Sequence, residues 1–112
     1  MTCCLDFSID TISVKSFKKI ISHVKIIDAR TPKEHQTCKI KGAQFVSFEQ
    51  PNLKNLNINK SDIIIVYCTI GYRSEKISEE LKLKGYKYVY NLYGGIIQWV
   101  NKGNKVFAPK WY

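Results

Sequence analysis

Cys68 follows an apolar, largely β-branched run, Ile63-Ile64-Ile65-Val66-Tyr67, and precedes Thr69-Ile70-Gly71-Tyr72-Arg73-Ser74, where a helix is predicted to begin at about Arg73 or Ser74. A short run without alternation reads as a strand buried on both faces. The loop after it must therefore wrap back over the cysteine. Such a loop can turn successive backbone N–H groups inward as an anion-binding nest, and the N-terminus of the next helix adds about half a positive charge at the same point. Both effects favour thiolate over thiol. Cysteines at helix N-termini have pKa values lowered from ~8.5 into the range ~3.5–7.5, so Cys68 is expected to be substantially ionised at neutral pH and nucleophilic. Gly71 fits a position that needs a positive φ or a close backbone approach, and Arg73 adds a fixed cation suited to an oxyanion. The competing reading makes Cys68 a small apolar residue closing the sheet. It loses weight because an arginine ends this turn in a chain that otherwise uses lysine: of 18 basic residues 16 are Lys, and Arg30 and Arg73 are the two exceptions.

The elements that must position this loop can be read from the rest of the chain. At 112 residues there is room for one domain, with its core over about residues 11–103. A composition 45% hydrophobic and 24% charged, with 6 Gly and 3 Pro, excludes collagen-like and disordered classes. Val24-Lys25-Ile26-Ile27 reads as a second buried strand. Tyr86-Lys87-Tyr88-Val89-Tyr90 reads as an alternating one, with shorter strands at Gln44-Phe45-Val46-Ser47 and Thr11-Ile12. Helices are predicted over residues 13–22, from the Thr31-Pro32 cap, over 74–84 with Gly85 as its C-terminal stop, and over 96–102. A short helix is expected near Leu53-Leu56 in the Asn/Lys-rich connector. Strands alternating with helices give an α/β domain, a mainly parallel sheet of about five strands with helices on both faces. Ligands of such sheets sit at the carboxyl ends of the strands. That rule collects Asp28-Ala29-Arg30, the Cys68 loop and Asn91-Leu92-Tyr93-Gly94-Gly95 at one edge.

Taken together, Asp28-x-Arg30, Gly42-Ala43, Cys68-x-x-Gly71-x-Arg73-Ser74 and Gly94-Gly95-Ile96-x-x-Trp99 resemble the single-domain rhodanese family of sulfurtransferases, over nearly the whole chain from about Ile12 to Val100. The resemblance implies a rhodanese-like fold. It also implies that Cys68 takes the outer sulfur of thiosulfate or a similar small anionic donor as a persulfide, then passes it to cyanide or a thiol, with a sulfur-carrier protein among the acceptors it allows. By the same resemblance Arg73 serves catalysis, and Thr69, Ile70, Gly71, Tyr72 and Ser74 form the substrate cradle. Asp28 and Arg30 read as structural support, an ion pair or hydrogen-bond frame around the loops. The chain departs from the family where relatives commonly have Gly-His-Ile-Pro-Gly-Ala. Here the turn is Cys38-Lys39-Ile40-Lys41-Gly42-Ala43.

A Cys-dependent phosphatase or arsenate reductase on the same fold is the nearest rival, since a cysteine loop closed by arginine also binds phosphate. Loop length separates them: four residues lie between Cys68 and Arg73, where the phosphatase type has five. A non-catalytic sulfur-relay or RNA-binding adaptor is the other alternative, raised by the net charge of +9. Against nucleic acid, the lysines run from Lys15 to Lys110 without a cluster and read as a solvated surface. His23 is expected at a helix end and His35 on a surface helix. Nothing places either imidazole beside Cys68. The chain calls for no cofactor, and adjacent Cys3 and Cys4 lack the spacing of a zinc knuckle. Cys38 reads as a bystander thiol rather than a partner for Cys68. With no apolar stretch near the ~20 residues of a membrane span and no signal-like start, a cytoplasmic chain with reduced thiols is expected.

Overall fold

The sheet assembles around the Ile63–Tyr67 run, whose residues are buried apart from Ile63 at its start. The computed structural model describes residues 9–108. In chain order the elements are β1 (Asp10–Ile12), α1 (Val14–Ile20), β2 (Lys25–Asp28), α2 (Pro32–Thr37), β3 (Gln44–Phe45), β4 (Ile63–Tyr67), α3 (Tyr72–Leu83), β5 (Tyr88–Leu92) and α4 (Gly95–Asn101). Short 3-10 turns follow α1 at Ile21–His23 and interrupt the connector at Leu53–Asn55. His23 thus ends a helical segment, as expected.

All strand pairs are parallel, in the order β1-β5-β4-β2-β3. The chain moves outward from β2 to β3, then returns to place β4 on the other side of β2. Beside that reversal a crevice opens at the strands' carboxyl ends, and Cys68 stands there. Alternate residues of β4 face opposite layers, as a pleated strand requires. Ile65 and Tyr67 pack with Val14, Phe17, Ile96 and Trp99 of α1 and α4, and the Phe17 and Trp99 rings lie 5.5 Å apart. Ile64 and Val66 pack with Ile77 and Leu81 of α3. Burying a side chain of this size is worth about 1.5–3 kcal/mol, so the two layers hold the sheet from both sides. Among the described residues no helix is long and apolar enough to cross a membrane.

Two local expectations shift. The last strand begins at Tyr88, not Tyr86, because the end of α3 holds the preceding residues: Gly85 N–H donates to Lys82 and Tyr86 N–H to Leu81. At its other end the strand runs on through Asn91 and Leu92, which the sequence reading placed beyond it and which pair with Thr11 and Ile12 of β1. Helix α3 likewise starts at Tyr72, with Gly71 as its N-terminal flank.

The turn that departs from the family pattern keeps a defined shape through other contacts. Ala43 N–H donates to the Ile40 carbonyl at 3.1 Å, and Ile40 N–H donates to the Tyr67 hydroxyl at 3.0 Å. Lys39 and Phe107 form an antiparallel bridge, so the C-terminal segment through Phe107 packs back on the domain. Residues 109–112, and with them Trp111 and Tyr112, lie outside the described residues, as do Cys3 and Cys4.

Candidate active site

Cys68 is 1% exposed at the end of β4. Its Sγ receives the Gly71 backbone N–H at 3.0 Å and lies 3.3 Å from the Ser74 hydroxyl. Gly71 has φ +125°, a conformation that L side chains rarely adopt, and this brings its amide round onto the sulfur. The loop is anchored from behind. The carbonyls of Cys68 and Thr69 accept hydrogen bonds from Ile96 and Ile97 N–H, at 2.9 and 3.2 Å, so the first amides of α4 find partners there. In a trans peptide the N–H points opposite the C=O. Holding these carbonyls against α4 therefore turns the amides of Thr69 and Ile70 away from that helix. Only glycine at position 95 allows the approach, since a Cβ there would lie 2.4 Å from both carbonyl oxygens.

Ser74 is fully buried, and its hydroxyl also reaches the Gly71 carbonyl and the Asn91 side-chain oxygen. Asn91 completes the ring by donating its amide to the Gly71 carbonyl at 2.9 Å. Its place on β5 thus fixes both Ser74 and the loop. Sequence reading put Asn91 at the right edge without giving it a role.

Arg73 does not stand alone as a free cation. Its Nη1 is 2.9 Å from Glu34 Oε1, and its Nη2 donates to the Thr69 hydroxyl at 2.8 Å. Thr69 in turn donates to Glu34 Oε2 at 2.9 Å. Sequence reading missed Glu34 as a site residue. Its local signal was the capping box of α2, in which Glu34 accepts the Thr31 N–H while Thr31 accepts the Glu34 N–H. The same carboxylate clamps the cysteine loop from 39 residues away.

The hydrogen bonds from Arg73, helped by those from Thr31 and Thr69, hold the Glu34 carboxyl at about 2, against an ordinary 4.5, although burial works the other way. A folded pKa below the unfolded one means stability present above about 4.5 and lost as the pH falls towards 2. Glu34→Gln is accordingly expected to unfold at lower urea concentration than the wild type at pH 7, with the gap closing between pH 4.5 and 2. About a third of the Glu34 side chain is exposed, so the gap is modest. A gap that stays constant over that range would remove the carboxylate's charge from the account.

Asp28 and Arg30 form a buried frame below the loop. Asp28 accepts from Arg30 Nε and Nη2 at 2.8 and 2.7 Å, from Arg30 N–H at 3.1 Å and from the Tyr67 hydroxyl at 3.0 Å. Arg30 Nη2 also donates to the Cys38 carbonyl. Burial opposes the Arg30 charge, yet the Asp28 bonds raise its pKa, while burial and then the Asp28 charge raise that of Tyr67. His35 corrects the expectation of a surface imidazole. Its Nδ1 is 2.9 Å from Asp28 Oδ2 and its ring centroid 4.8 Å from that of Phe45, so it belongs to this frame. The remaining predicted cradle residues, Ile70 and Tyr72, are 68% and 64% exposed at the loop's mouth. Cys38 is a free thiol packed against the α1/α4 layer.

The chain is 33% identical over 87 residues to a protein named sulfurtransferase from Allochromatium vinosum, covering 78% of this chain and 81% of that one. It is 34% identical over 95 residues to a tRNA uridine(34) hydroxylase from Cytophaga hutchinsonii, covering 80% of this chain and only 30% of that protein. A solved rhodanese-like domain protein from Staphylococcus aureus superposes with a TM-score of 0.75 at 27% identity, over 91% of this chain and all of that one. The family described as the rhodanese-like domain matches residues 13–102. That span holds the cysteine loop, its glutamate clamp and the Gly95 contact alike, and the chain belongs to the rhodanese-like domain family.

Proposed function

We propose that the protein is a sulfurtransferase that carries sulfane sulfur as a persulfide on Cys68. The observation that carries this reading is the cradle around Sγ: the Gly71 amide at 3.0 Å and the Ser74 hydroxyl at 3.3 Å, on a loop whose carbonyls are tied off to α4. An amide aimed at the sulfur suits a bound sulfur anion, while the single Ser74 proton is shared among Sγ, the Gly71 carbonyl and Asn91 Oδ1. In the first half-reaction the Cys68 thiolate attacks the outer sulfur of thiosulfate. The new S–S bond forms as the old one breaks, and sulfite leaves with the electron pair. In the second, an acceptor nucleophile attacks the outer persulfide sulfur and Cys68 departs as thiolate.

Arg73, clamped by Glu34, holds Thr69 and so the loop's entry in place, and its guanidinium is a cation suited to an incoming oxyanion. Ile70 and Tyr72 form the mouth. Asp28 and Arg30 support the ends of β2 and β4 from beneath. Similarity to a named sulfurtransferase over four-fifths of its length supports this reading.

The test is to incubate the protein with thiosulfate and weigh it. The wild type is expected to gain the mass of one sulfur, which cyanide removes as thiocyanate, and Cys68→Ser to gain none. A wild type that gains no sulfur but hydrolyses aryl phosphates would overturn the proposal in favour of a phosphatase.

A further inference from the structure

Lysines far apart in the sequence meet at one place on the surface. Lys15 and Lys18 of α1 and Lys102, just beyond α4, line a cavity of about 560 Å³, together with Val14, Tyr93 and Gln98. No Asp or Glu lines it, and among the described residues none of the three lysines has a carboxylate within 4.0 Å. All three residues are exposed. Here the expectation of lysines without a cluster fails, because Phe17 of α1 packs on Trp99 of α4 and brings the two helices together.

Helix electrostatics accounts for two of these lysines and not for the third. Lys18 lies in the last turn of α1 and Lys102 at the C-terminal cap of α4, where the partial negative charge of a helix end favours a cation. Lys15 lies in the first turn of α1, at the partially positive end, and no acidic residue shares that turn. Lys18 follows three positions later on the same side of the helix, so two like charges face each other. Lys15 thus stands where its own helix opposes its charge, at the rim of a space to which the protein brings no anion.

The cavity also offers more than charge. Val14 is 4% exposed and forms an apolar wall, while Tyr93 is 64% exposed and its N–H donates to the Ile12 carbonyl at 2.9 Å, which fixes its place beside the lysines. Gln98 stands one turn before Lys102, whose N–H donates to the Gln98 carbonyl at 3.0 Å. Ligand pockets run to about 300–1,000 Å³, so a mononucleotide fits a space of this size. The cationic rim is also short. The adjoining groove shares Tyr93 and Gln98 but has no lysine in its lining and carries Glu75. A track for a long phosphate backbone needs positive charge along its length, and here the charge stops at one cavity, which favours a compact anion.

We propose that this cavity is a binding site for a nucleoside di- or triphosphate, with its phosphates among Lys15, Lys18 and Lys102 and its base against the Tyr93 ring. Cys68 does not line the cavity, so the site is separate from the cysteine loop and does not rest on the persulfide reading.

The test titrates ATP, inorganic pyrophosphate and adenosine into the full chain by calorimetry at ~0.15 M salt without added metal. ATP is expected to bind at one site, pyrophosphate more weakly and adenosine more weakly still. Lys15→Glu/Lys102→Glu should raise the ATP dissociation constant about tenfold or more. Lys41→Glu/Lys87→Glu removes the same charge from exposed lysines outside the cavity and should change it less than about twofold. Tyr93→Ala should weaken ATP and leave pyrophosphate unchanged. Lys15→Gln/Lys102→Gln, a milder change at the same positions, keeps the comparison open if charge reversal impairs folding, and is expected to weaken ATP in the same direction. Absence of saturable ATP binding in the wild type overturns the proposal. So does an equal loss of affinity in the cavity and control variants, which would reduce the binding to overall charge. A single-stranded oligonucleotide that binds where ATP does not would overturn it in favour of a strand.

Discussion

Gly95→Ala is expected to destabilise the protein by about 3 kcal/mol or more and to cut sulfur loading of Cys68 sharply. Two separate penalties meet at this position. Gly95 has φ +60°, and a left-handed conformation costs roughly 1–2 kcal/mol once a Cβ is present. The Cβ would also stand 2.4 Å from the carbonyl oxygens of Cys68 and Thr69 and 2.6 Å from the Thr69 carbonyl carbon. These are backbone atoms, so no flexible side chain can swing aside. The loop must retreat from α4, and the hydrogen bonds from Ile96 and Ile97 N–H to those carbonyls lengthen or break. Overpacking of this sort typically costs a further ~1–3 kcal/mol. Gly103→Ala separates the two terms, because Gly103 has φ +86° but nothing within 4 Å of the added Cβ. It should cost only the conformational part and leave sulfur loading near the wild-type level. Urea unfolding and the thiosulfate mass assay on both variants decide the matter. If they prove equally destabilised and equally active, the contact between α4 and the cysteine loop has no special weight.

The contrast between these two glycines also shows what a sequence can reveal. Local rules reached the strand before Cys68, the need for a positive φ at Gly71 and the helix starting with Pro32, because each depends on residues a few positions apart. The family pattern reached Gly95 without saying what it touches. What stayed hidden depends on pairings across the fold. Glu34 completes the capping box that Thr31 begins, but its second role requires Arg73, 39 residues further along the chain, to fold against it. Asn91 is a strand residue because it pairs with Val66 of β4 on one side and Thr11 of β1 on the other, partners that its neighbours in the chain do not reveal. His35 carries no mark of burial in its neighbours. Its ring meets Asp28 only when α2 folds over the end of β2. The lysine cavity is the same effect on the surface: Lys15 and Lys102 are 87 positions apart in the chain and line one space.

Asp28→Ala is expected to cost about 3–5 kcal/mol, the usual penalty for removing one partner of a buried ion pair. Arg30 is 3% exposed, and five of the contacts that hold this corner run to the Asp28 carboxylate: three from Arg30, one from Tyr67 and one with His35 Nδ1. Without that carboxylate the guanidinium keeps the Cys38 carbonyl and the Tyr67 ring, 5.5 Å from its centre, but has no counter-charge within its layer except through rearrangement. Asp28→Asn should recover little, since it restores shape and some hydrogen bonding but not the charge. Removing both partners is the informative comparison. In Asp28→Ala/Arg30→Met the stranded cation is gone, and the double variant should lose less stability than Asp28→Ala alone, giving a coupling energy of about 1–3 kcal/mol. The effect on sulfur loading follows from position. Asp28 is paired with Tyr67 across β2 and β4, Tyr67 donates to Asp28 and receives the Ile40 amide, and the next residue is Cys68. The frame therefore holds the strand end from which the cysteine loop departs, without touching the sulfur. Well below its melting temperature Asp28→Ala should still load sulfur, at a reduced rate, and lose that ability on mild warming that the wild type withstands. Complete loss of loading in a variant that remains folded by circular dichroism would place Asp28 in the chemistry rather than beneath it.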